Sequence, residues 1–136
     1  MKALVDISLT AILYFIITTA YADNMTASTS QSIEGNYKCQ WNGSLLDNKS
    51  FSLTISKTGD TYNSEWDDNT GNPVLYGTGL MGSNINNFMS TSFWGAVDNT
   101  ISGILSITLK QDGSLQGNWI SQSGKDTGTT TCTKSN

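Results

Sequence analysis

Histidine and arginine are both missing from this chain of 136 residues. Without an imidazole there is no Ser-His-Asp triad, no histidine base and no ordinary zinc site. Without a guanidinium there is no bidentate clamp for phosphate or carboxylate. Lysines are scattered singly, at Lys38, Lys49, Lys57, Lys110, Lys125 and Lys134 after the amino-terminal segment, and the net charge is −4. Nucleic acids and anionic membranes need clustered cations, so neither is an expected partner. Acid chemistry is thin as well: beyond residue 22 the only glutamates are Glu34 and Glu65. The expectation is a non-enzymatic protein that needs no cofactor and no metal.

Long apolar runs are scarce too. The one that occurs spans Ile7–Ala20, preceded by Lys2 and followed by the small-x-small triplet Ala20-Tyr21-Ala22. That is the form of a signal peptide over residues 1–22. Its run of about 14 residues is short against the roughly 20 that cross a bilayer. The product is therefore expected to be exported, periplasmic or extracellular, with no membrane segment left after signal removal. Residues 23–34 are polar and aperiodic, a flexible lead in which only Ile33 is placed to dock at a rim. Residues 35–136 are enough for one small domain.

What the chain does have is alternation. Tyr37, Cys39 and Trp41 share one face of Asn36–Asn42, and Phe51, Leu53 and Ile55 share one face of Ser50–Lys57. Further strands are predicted over Thr61–Trp66, Val74–Met81, Ile85–Phe93, Ile101–Lys110, Leu115–Ser121 and Thr127–Lys134. Turn residues separate them, among them Thr58-Gly59-Asp60, Gly82-Ser83-Asn84 and Gln111-Asp112-Gly113-Ser114. Pro73, the single proline, lacks a donor and belongs where a strand begins.

Short turns between consecutive strands favour an all-β, eight-stranded antiparallel up-and-down barrel. Cys39 lies in the first strand and Cys132 in the last, so a disulfide in an exported protein would close the ring. Bonding them leaves no thiolate for catalysis. A two-sheet β-sandwich remains the alternative.

Several pieces together resemble a known group. They are Gly35-Asn36-Tyr37-Lys38-Cys39, Gly59-Asp60-Thr61-Tyr62 with Trp66, Tyr76-Gly77-Thr78-Gly79, Leu115-Gln116-Gly117-Asn118-Trp119, and Gly128 with Cys132. Their succession resembles small exported bacterial proteins, some carrying a fibronectin-binding label. The resemblance implies an avidin-like or lipocalin-like barrel and no assigned activity. The set of groups that holds biotin in avidin has no counterpart in register here, so biotin binding is not carried over.

Aromatic residues are the leading candidates for binding. Trp41, Trp66 and Trp119 suit the interior of a small barrel, which side chains fill. Adjacent rings in a strand point to opposite faces, so either Phe93 or Trp94 must be exposed. Phe93, Trp94, Trp66 and Tyr76 are the candidate contact residues for an unknown protein or small ligand. Glu65 beside Trp66 raises a carboxylate glycosidase as a lesser reading. The acidic turn from Glu65 to Asn72 raises calcium, although it lacks EF-hand spacing. The leading expectation is an exported binding protein that meets a protein or surface partner through loops and exposed aromatics. The alternative is a small-ligand carrier using the barrel interior or mouth.

Overall fold

In the computed structural model, which describes residues 31–46 and 48–136, alternation of side chains builds a single curved wall. Its strands are β1 (Gly35–Gly43), β2 (Lys49–Thr58), β3 (Thr61–Asp67), β4 (Pro73–Gly82), β5 (Ile85–Gly95), β6 (Ser102–Leu109), β7 (Leu115–Ser121) and β8 (Thr127–Lys134). Each pairs with its sequence neighbour, and β1 pairs antiparallel with β8, so the sheet closes as a barrel rather than a sandwich. Closure leaves no strand edge open to pair with another chain. The expected signal segment, and the expected lead as far as residue 30, lie outside the described residues.

The seam is fastened by sulfur. Cys39 stands directly opposite Cys132 in the β1–β8 register, and the two form a disulfide with Cα atoms 3.9 Å apart. Both face inward and are almost fully buried. The bond closes a separation of 93 residues. On the chain-entropy account, that restricts the unfolded state enough to stabilise the fold by about 4 to 5 kcal/mol.

Inside the wall, Trp41 is the centre. Its ring lies 5.5 Å from Phe93, 5.9 Å from Trp66 and 5.8 Å from Trp119, with Phe51 at 6.2 Å. Three of these contacts are edge-to-face, the arrangement that aromatic quadrupoles prefer. Such large rings fit because small residues oppose them. Gly128 pairs with Trp119 and Gly103 with Phe93, and Gly77 lies against Trp66. A Cβ on Gly128 would sit 2.5 Å from the Trp119 ring, and one on Gly103 would sit 2.7 Å from the Phe93 ring. Large and small positions thus interlock.

Apolar side chains flanking β1 are buried as well. Leu46 lies after the strand and Ile33 before it. The Tyr37 hydroxyl donates to the Ile33 carbonyl at 2.8 Å, and the Glu34 carboxylate accepts the Lys57 amide N–H at 3.0 Å. The stretch just before β1 is therefore tied to the barrel. Pro73 opens β4 where the β3–β4 register shifts, the place where its missing donor costs least.

Candidate binding surface

Buried rings occupy the interior around Trp41, so the aromatic candidates are sorted by the side of the wall they face. Alternation divides the four aromatic candidates evenly. Trp66 and Phe93 point inward and are 0% and 1% exposed, so they serve the core. Trp94 points outward and is 40% exposed, and Tyr76 is half-buried on the same outer side. The pair of adjacent rings at residues 93 and 94 is resolved by strand geometry alone.

The register then brings outward residues from distant parts of the sequence into one row. Asn36, Thr54, Glu65, Tyr76, Trp94 and Ser102 are successive cross-strand partners from β1 through β6. A second outward row runs Ser56, Asn63, Thr78, Ser92, Ile104 and Ile120. Between the two rows, over β2 to β5, lies a shallow groove of about 290 Å³. It is lined by Thr54, Asn63, Glu65, Tyr76, Thr78 and Trp94 among others. Cross-strand neighbours stand about 4.8 Å apart, so the groove crosses about 14 Å of wall.

Its polar groups are held by hydrogen bonds to neighbouring strands and to the β2–β3 turn. The Thr54 hydroxyl donates to the Asn36 side-chain oxygen at 3.1 Å, and the Asn63 amide donates to the Thr58 hydroxyl at 3.0 Å. The Thr78 hydroxyl approaches the Asn63 oxygen at 3.5 Å, and the Ser92 hydroxyl donates to the Thr78 carbonyl at 3.2 Å. Hydroxyl oxygens that donate once still have acceptor capacity for a ligand. Glu65 is exposed between Thr54 and Tyr76, so its cross-strand neighbours are not acids.

On the far side of Trp94 the surface changes character. Ile104 and Ile120 pair across β6 and β7 and are 54% and 42% exposed, giving an apolar patch on the outer wall beyond β5. Neither isoleucine is among the contact residues that the sequence singles out. Alternation over Ile101–Lys110 turns Ile101, Gly103, Leu105, Ile107 and Leu109 inward; all but Ile101 are buried, which leaves Ile104 outside, and the β6–β7 register sets Ile120 beside it.

The acidic turn considered for calcium is occupied by its own backbone. One Asp68 carboxylate oxygen accepts the Thr70 hydroxyl at 2.6 Å, the Thr70 N–H at 2.8 Å and the Asn72 N–H at 3.0 Å. These bonds hold its pKa below the ordinary carboxylate value, the Thr70 hydroxyl contributing most. Asp98 with Thr100, and Asp112 with Ser114, repeat the arrangement. Such turns favour Asp for local reasons alone. Among the described residues, no group of three or more Asp, Glu, His or Cys side chains is placed to hold a metal ion.

The fold and surface together define a closed, disulfide-seamed barrel with a polar, aromatic-floored groove on its outer wall. No protein-family model matches the chain, and no curated protein matches it in sequence.

Proposed function

We propose that this is an exported, non-enzymatic binding protein that holds its partner on the outer wall around Tyr76 and Trp94. The observation that carries the reading is Trp94 itself, a large aromatic left substantially exposed beside a groove while the other three tryptophans are buried. Exposed aromatics of this kind supply large contact area at low entropic cost and are common binding anchors. The Cys39–Cys132 disulfide is compatible with export. Strand addition, the usual route by which sheets capture peptides, needs an open edge, and the closed ring has none. Recognition therefore falls to outward side chains.

Trp94→Ala and Tyr76→Ala test the assignment. Wild-type protein immobilised on a sensor is exposed to a cell-envelope and exported-protein fraction, and the retained partner is then analysed chemically. Retention that falls with either substitution, with the partner recovered unaltered, is the expected result. Retention indifferent to both substitutions would place recognition elsewhere. Chemical conversion of the partner would remove the non-enzymatic part of the reading.

A further inference from the structure

We infer that the groove between β2 and β5 takes a neutral carbohydrate chain. This deepens the proposed function and rests on it. A sugar ring has an apolar C–H face and a rim of hydroxyls, and the groove offers the complement of each. Tyr76 and Trp94, direct cross-strand partners, provide adjoining aromatic surfaces together with a phenol and an indole N–H. Thr54, Asn63 and Thr78 surround them with hydroxyl and amide groups oriented by hydrogen bonds, Thr54 to Asn36, Asn63 to Thr58 and Thr78 to Asn63.

Charge narrows the class further. The groove carries one carboxylate, Glu65, and no lysine. Lys57, adjacent in sequence to Ser56, turns the other way, with its ammonium 5.8 Å from the Tyr62 ring centroid. A phosphorylated or carboxylated polymer would meet Glu65 with no cation to offset it, on a protein of net charge −4. A cationic ligand would find a single acid. An uncharged polyol meets neither obstacle. Shape agrees as well: the site is an open trough about 14 Å across, suited to a segment of extended chain rather than an enclosed small molecule.

Titration of the full-length mature protein with short neutral oligosaccharides of glucose, galactose, mannose and N-acetylglucosamine tests this, read by tryptophan fluorescence and calorimetry. Oligogalacturonate serves as the charged comparison. At least one neutral series is expected to bind, and Trp94→Ala to weaken it by about ten-fold or more. Val97→Ser, at an exposed loop position outside the groove, is expected to leave it unchanged. Equal binding of oligogalacturonate overturns the neutral class. No titration by any neutral series overturns the carbohydrate assignment. If Trp94-dependent retention of the envelope fraction persists alongside that result, the partner is a protein seated toward Ile104 and Ile120, and the wider reading stands. If that retention is also absent, both fall.

Discussion

Phe93 and Trp94 are consecutive residues on opposite sides of one wall. Phe93 packs its ring 5.5 Å from Trp41 in the interior, whereas Trp94 pairs with Tyr76 on the outside. The two substitutions should therefore separate stability from recognition. Phe93→Ala is predicted to cost about 3 to 5 kcal/mol by chemical denaturation, as buried aromatic truncations do. Trp94→Ala should cost about 1 kcal/mol or less while lowering partner retention. Comparable losses of stability from both would contradict the division of roles.

Gly128 is a second place where size decides. It lies opposite Trp119, and an added methyl would meet both that ring and the Asn42 carbonyl. We predict that Gly128→Ala destabilises the barrel by about 1 to 3 kcal/mol through overpacking. Because Gly128 is remote from the groove lining, ligand affinity at a temperature where the variant is folded should stay at the wild-type value. Denaturation midpoints and a binding titration on the same sample check both halves.

Removing the disulfide should cost more. In Cys39→Ala/Cys132→Ala the β1–β8 hydrogen bonds remain, but the unfolded chain regains the freedom of a long loop. A loss of about 2 to 5 kcal/mol is expected, with much of it reproduced by adding reductant to the wild-type protein. A denaturation curve that does not move under reduction would remove the seam from the stability argument.

Acid should loosen the turns. Asp68, Asp98 and Asp112 each have a pKa held below the ordinary value, chiefly by a side-chain hydroxyl two residues along. A lowered folded-state value means that the unfolded chain binds the proton more readily. The stabilisation is therefore present above the ordinary pKa of 3.8 and is lost as pH falls below it. At the other extreme, burial raises the Tyr37 pKa above its ordinary 10.0, so its contribution is complete below that pH and lost on further rise. Denaturation as a function of pH should show both limbs, and Asp112→Asn should flatten the acid one.

Much of this architecture was legible from alternation. The inward sets Tyr37-Cys39-Trp41 and Phe51-Leu53-Ile55 are buried as their period of two requires, and strands β7 and β8 begin and end where their turn residues predict. The cysteine pair could be placed because a meander returns its last strand to its first. The binding surface was less accessible. Trp94 and Tyr76 could be singled out by type, but Trp66 and Phe93 are equally aromatic and serve only the core. Thr54, Asn63, Thr78 and Glu65 lie in three strands, and only cross-strand register, which depends on turn geometry and the β3–β4 bulge, gathers them. Alternation alone leaves Ile104 outside, whereas its pairing with Ile120 again depends on register.

The covalent bond between the first and last strands has a consequence for survival among proteases. A cut in any exposed hairpin between β1 and β8 divides the polypeptide into an amino-terminal piece holding Cys39 and a carboxy-terminal piece holding Cys132. Both fragments stay tethered, their neighbouring strands still paired all the way round. A nicked molecule would thus migrate as an intact species until a reducing agent released its halves.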